Sequence, residues 1–208
     1  TRYTQFQKGA GGHTLCSSCN SLTGKWYGAA YAEFADQGMK YFKNNSQGLI
    51  SVAYTIYPLR VFKQIVSCFA SVNGPLWCQQ NPSIKDFLLN PHEQKFPAEI
   101  DIRMYMQIKG RSKLGGISGQ MNPFTGERFV GSEWAYSPFS YICVCDKNYL
   151  DYRVLNELYP VKRFSQHRYD DRLTLYLNIP RKFCNPAISD FREGIPDMKA
   201  FIESNKKK

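Results

Sequence analysis

Cys16-Ser-Ser-Cys19-Asn20 is the stretch of this chain whose residue types and spacing point most directly to chemistry. Two cysteines with two residues between them can turn both thiolates toward one tetrahedral metal, as in a zinc knuckle, while backbone N–H groups soften their charge. One knuckle supplies half of a structural Zn²⁺ site. The remaining ligands are therefore expected from elsewhere in the chain, from a segment preceding Thr1, or from a partner chain. His13, three residues before Cys16, can approach the same zinc or a neighbouring phosphate, although a loop histidine bonded to backbone is the plainer reading. The chain holds seven cysteines, an odd number that rules out complete pairing into disulfides within one chain. With no secretory signal in view, reduced thiols are expected. Cys143 and Cys145 share one face of a strand and read as small buried hydrophobes, as does Cys68 on an apolar helix face. Cys78 and Cys184, in Pro- and Asn-rich surroundings, stay open as ligands.

A second group of side chains is suited to phosphate. Lys109-Gly-Arg111-Ser-Lys113-Leu-Gly-Gly116 is a basic, glycine-rich loop that can receive a phosphate through its amides and through Lys109, Arg111 and Lys113, but it has neither P-loop nor dinucleotide spacing. A hairpin connection is the competing account. Arg163 and Arg168 form a basic strip with His167, and His92 follows Asn90-Pro91 as a surface residue. Glu133 is the one acid in a mainly apolar strand; an outward-facing position is preferred over an active-site carboxylate. Asp170-Asp171 reads as a solvated charge cluster. No Ser-His-Asp or Cys-His arrangement is identifiable.

The composition suits an ordinary core: 208 residues, 43% hydrophobic and 15% aromatic. The net charge of +10 attracts polyphosphates and steers nucleic acid toward the surface. Nothing resembles a signal peptide or an unbroken membrane span, so the expectation is a cytoplasmic protein with no membrane partner.

Three segments must position these residues. Residues 1–48 are expected to form a knuckle followed by a helix from Leu22 to Phe42, with Trp26, Tyr27, Tyr31 and Phe34 making a core stripe. Gly24 and Gly28 would allow another backbone to approach, and Asn44 to Gly48 supplies turn chemistry. Residues 49–98 read as a strand over Ile50 to Tyr57, a helix opened by Pro58 with Leu59, Phe62, Ile65, Val66 and Phe69 on its apolar face, and a Pro-rich surface connector with a short helix near Ile84 to Leu89. Residues 99–208 alternate with period two. Ile100, Ile102, Met104, Met106 and Ile108 define one half-buried strand, followed by Gly116 to Gln120, Arg128 to Tyr136, Phe139 to Cys145, and a last strand through Leu173, Leu175, Leu177 and Ile179. A turn at Asn122 to Gly126 joins two of these. The expected fold is α+β: a knuckle-plus-helix unit packed on a helix and a mainly antiparallel sheet, ending in a basic tail.

The run Gly11-Gly12-His13-Thr14-Leu15-Cys16-Ser-Ser-Cys19-Asn20-Ser-Leu-Thr-Gly24 resembles the C-terminal half of the HNH (ββα-metal) nuclease motif, over roughly residues 9–30. The resemblance implies that Cys16 and Cys19 are half of the structural zinc site. It also implies that Asn20 offers a ligand to a catalytic divalent ion, Mg²⁺ or Mn²⁺. The family's general base is a histidine paired with Asp or Glu on a preceding strand; it deprotonates the water that attacks the phosphodiester. Thr1 to Ala10 contain no His, Cys, Asp or Glu, and the family's middle Asn falls on Gly11, so the general-base half is expected outside this chain. Three functions follow in order: part of an HNH-related endonuclease, a non-catalytic nucleic-acid-binding module, or a protein-interaction protein that uses the cysteines as a staple.

Overall fold

The fold was read from a computed structural model, which describes residues 16–42, 48–108, 112–121, 128–145 and 153–183. The chain enters as α1 (Ser17–Thr23), passes through a π-helical turn (Gly24–Gly28) and continues as α2 (Ala29–Phe42). The helix thus starts directly after Cys16 instead of at Leu22. Tyr27 and Phe34 are fully buried, which makes the aromatic stripe part of the core. A Cβ on Gly24 would meet nothing within 4 Å, and one on Gly28 would touch only Gln64 Oε1 at 4.0 Å. The close approach lies instead at Gly38, where a Cβ would stand 2.5 Å from Phe139 Cζ and 2.7 Å from Pro138 Cγ.

β1 (Gly48–Ile56) leads into α3 (Pro58–Asn73), with Pro58 in the first turn, where its missing N–H costs nothing. Gly74, at φ +79°, ends α3 in a conformation that L side chains disfavour, and Pro75 opens α4 (Pro75–Gln80). Pro82 opens α5 (Pro82–Leu89) in the same way. The prolines expected to mark a surface connector therefore start two helices. Those helices send Trp77, Ile84, Phe87 and Leu88 into the main core.

The strands are β2 (Asp101–Gln107), β3 (Lys113–Met121), β4 (Arg128–Tyr136), β5 (Phe139–Val144), β6 (Tyr159–Pro160) and β7 (Leu173–Lys182). A short α6 (Arg153–Asn156) precedes β6, and a 3₁₀ helix (Val161–Gln166) follows it. The sheet order is β1-β7-β2-β5-β4-β3, with β6 paired to β2. β1 and β7 are antiparallel from Gly48↔Arg181 to Ile56↔Leu173. β7 then meets β2 in parallel at Met106↔Arg181, so a mainly antiparallel sheet carries one parallel junction.

Helices cover one face, and a single core joins Phe34, Phe62 and Phe69 to Met104, Trp134 and Tyr141. The opposite face is not uniformly wet. Tyr105, Ile142, Val144, Leu155 and Leu158 form a second, smaller cluster there. A half-buried strand with Ile102, Met104 and Met106 inward would turn Tyr105 and Gln107 to solvent, yet both are buried. Among the described residues no helix is long and apolar enough to cross a membrane.

Candidate metal half-site and its surroundings

Cys16 occupies the N-cap of α1. Its extended backbone turns the side chain back over the first turn, and its Sγ accepts the Cys19 N–H at 3.1 Å. Ser18 Oγ lies 3.1 Å from the same sulfur. The hydrogen bond from the Cys19 side chain, helped by those from Ser18 and the Cys19 amide, lowers the Cys16 thiol to about 7. Cys19 is pushed the other way, first by its bond to Cys16 and then by desolvation. The two shifts run in opposite directions, so the Cys16 thiol gives up its proton more readily than that of Cys19. A divalent metal resolves such a pair by displacing the remaining proton.

The thiols open onto a cavity of about 220 Å³ lined by Cys16, Cys19, Thr23, Ser67, Cys78 and Lys85, with Leu88 among the apolar walls. Thr23 binds the Cys19 carbonyl at 3.0 Å and anchors the knuckle to the helix, while Ser67 reaches Thr23 from α3 at 3.4 Å. Burial raises the Cys78 thiol, and the charge of Cys19 adds to the effect. Lys85 acts in the opposite sense on Cys19, as a cation beside a thiolate must. Two thiols on one turn, with an N–H···S bond that spreads their charge and an ammonium group nearby, are half of a tetrahedral zinc set. Among the described residues, no group of three or more His, Cys, Asp or Glu is placed to hold a metal ion.

Asn20 stands exposed in the first turn of α1. His13, Lys109, Arg111 and Cys184 lie outside the described residues, as does the Asn122–Gly126 turn. Arg163 and Arg168 are exposed on either side of His167. His92 sets its ring edge-on against Tyr169 at 5.2 Å. Asp170 is paired with Arg60 at 2.6 Å, and Asp171 accepts the backbone N–H of Arg168 at 2.8 Å, so one acid serves an ion pair and the other a turn. Cys143 is buried with its sulfur 3.9 Å from that of Cys145, in keeping with their reading as packed hydrophobes.

Two expectations need correction. Lys113 does not face solvent: it is the first residue of β3, and its Nζ donates to Glu133 Oε2 at 2.7 Å. A loop lysine expected to receive phosphate is instead committed to the interior. Glu133 is fully buried rather than outward-facing, and it also accepts the Tyr105 hydroxyl. The cause is register: Lys113 sits opposite Ala135, two residues from Glu133, so both side chains lie on the face shared with Tyr105.

Lys63 escaped the sequence reading altogether. It lies four residues after Leu59, on the apolar side of α3, and is fully buried. Its Nζ donates to the carbonyls of Phe87 and, at 2.9 Å, Asn90, and it stands 3.8 Å over the Phe87 ring. The helical spacing was the available signal; a charged residue at a core position is a commitment that needs partners. Comparison with protein-family models, curated proteins and solved structures yields no match.

Proposed function

We propose that the chain is an HNH-related, zinc-dependent nucleic-acid protein in which Cys16 and Cys19 form a metal half-site. One observation carries the reading: at the start of α1 the first thiol accepts the N–H of the second cysteine, so both sulfurs are held on one turn beside Lys85. Zinc there would supply structural cross-linking between the start of α1 and whatever contributes the remaining ligands. The excess of positive charge over the whole sequence, with Arg163 and Arg168 exposed, favours a polyphosphate partner, and the HNH resemblance puts DNA before RNA.

Endonuclease activity is the finer part of the proposal. Asn20 is exposed beside the knuckle and can offer its side-chain carbonyl to Mg²⁺ or Mn²⁺. Such an ion would supply stabilisation of charge on the leaving oxygen. The general base would come from outside the described residues.

Zinc per chain, measured by elemental mass spectrometry on wild type and on Cys16→Ala/Cys19→Ala, tests the half-site. About one zinc, lost in the double variant, is expected. Well-folded wild type without zinc would end the reading. Nicking of plasmid DNA with Mg²⁺ or Mn²⁺, abolished by Asn20→Ala, tests the enzymatic part. Salt-sensitive binding without cleavage would leave a non-catalytic nucleic-acid module.

A further inference from the structure

Cys16 and Cys19 differ in what surrounds each sulfur, and the difference suits a reaction that needs no metal. Cys16 stands exposed at the head of α1, where its Sγ accepts the Cys19 N–H at 3.1 Å and lies 3.1 Å from Ser18 Oγ. Cys19 is half-buried, and its thiol is hydrogen-bonded to the Cys16 sulfur. Both line the cavity of about 220 Å³ whose apolar walls are Pro75, Leu88 and Leu89. We propose that this pair is a thiol–disulfide exchange site: Cys16 is the attacking thiolate, Cys19 the resolving thiol, and the substrate a disulfide flanked by an apolar group.

The attacking group in such an exchange is a thiolate, which needs hydrogen bonds that favour its charge and an open line of approach. Cys16 has the backbone N–H and the Ser18 hydroxyl for the first, and its exposure for the second. Its thiol, lowered to about 7, is ionised to a large extent at neutral pH. Cys19 holds its proton longer, and Lys85 favours its thiolate when that proton leaves. Cys78 shares the cavity, but burial raises its thiol and keeps it protonated. Cys143 and Cys145 also lie close, with sulfurs 3.9 Å apart, but Cys143 is shut off from solvent. Among the described residues no third ligand joins Cys16 and Cys19 to hold a metal ion, which leaves both sulfurs available.

The exchange runs in two steps. Cys16 Sγ attacks one sulfur of the substrate, a mixed disulfide forms, and the other substrate sulfur departs and takes up the proton that Cys16 had lost. Cys19 then gives up its proton and attacks Cys16 Sγ. The Cys16–Cys19 bond forms as the mixed disulfide breaks, and the second substrate sulfur leaves as a thiol. Two electrons and two protons pass from the cysteine pair to the substrate, with no further oxidant.

The test uses the full chain, reduced and kept metal-free with a chelator, and oxidised glutathione as the probe. Peptide mass mapping should place a new disulfide between Cys16 and Cys19, with Cys78, Cys143 and Cys145 still free. Cys19→Ser should stop at the mixed disulfide and retain glutathione on Cys16. Cys16→Ser, which keeps a hydroxyl at the helix cap, should react at least about tenfold more slowly. The wild-type rate should rise with pH through a midpoint of about 7. A peptide cystine flanked by leucine should react about tenfold faster than oxidised glutathione, because its side chain enters the apolar cavity. Wild-type rate in Cys16→Ser, glutathione held on another cysteine, or no Cys16–Cys19 bond in wild type would overturn the proposal, and equal rates for the two probes would overturn its apolar substrate. Zinc content is measured separately, so the metal reading and the exchange reading can each fail alone.

Discussion

A lysine with no access to water must either lose its proton or find oxygen partners, and Lys63 is drawn both ways. Burial lowers its pKa from 10.5 to about 7, with Glu93 pulling weakly in the opposite direction. Below about pH 7 folded and unfolded chains both carry the proton, and the folded state bears the full cost of a buried charge. As pH rises from about 7 toward 10.5, only the unfolded chain still binds it, so this group makes the protein more stable with increasing pH. Thermal unfolding of wild type and Lys63→Met between pH 6 and 10 should show the gain in wild type only; parallel curves would refute the shift. The Lys113–Glu133 pair poses a different question. Lys113→Met leaves a carboxylate buried with the Tyr105 hydroxyl, which should cost about 3–5 kcal/mol in urea unfolding. Adding Glu133→Gln should recover most of that loss, because the stranded charge disappears. If the double variant is no better than the single one, the pair is not the source of the cost.

At the level of elements, α2 meets the β4–β5 turn at Gly38. Alanine there would improve helix propensity by about 1 kcal/mol, but its methyl would overlap the Phe139 ring and Pro138. Phe139 is itself stacked on Phe34 at 4.5 Å and cannot yield easily. Gly38→Ala should therefore lower stability by about 1–3 kcal/mol, a fall of several degrees in Tm; an unchanged or higher Tm would show that the turn moves aside. Period-two alternation made β2 and β7 legible, a run apolar on both faces did so for β5, whose residues are all buried, and the Leu59–Phe69 spacing did the same for α3. The 75–89 segment was misread because proline marks both a connector and the first turn of a helix. Only the core positions of Trp77, Ile84 and Phe87 separate the two. Lys113 was misplaced for a related reason: a charge beside glycines reads as loop until a partner strand supplies Glu133. Cross-strand register is not written in local sequence.

For the whole molecule, the net charge of +10 sets the long-range field, and Arg163 and Arg168 are described residues on its exposed surface. Fluorescence anisotropy with a labelled DNA duplex should give affinity that falls linearly in a log–log plot against salt. Arg163→Glu/Arg168→Glu should weaken binding at low salt by about tenfold or more and flatten the slope. An unchanged slope would move the nucleic-acid face elsewhere. The Cys16–Cys19 pair was the most legible candidate for chemistry in the sequence, since a Cys-x-x-Cys spacing is local; the cavity that places Cys78 on the same wall depends on how α3 turns the chain back.

The π-helical turn at Gly24–Gly28 lies between the knuckle and the core stripe. A π turn accommodates one residue more than an α turn, and each residue rotates a helix by about 100°. The five-residue turn therefore works as a phase adjuster: Tyr27 and Phe34 can point into the core while the cysteines about two and three turns before Tyr27 aim at α4 and α5. Removing a single residue there would leave every side chain of the knuckle intact and yet rotate it by about a quarter turn away from Cys78 and Lys85. What looks like an irregularity in the first helix is thus the angular offset between two faces that a straight helix could not serve together.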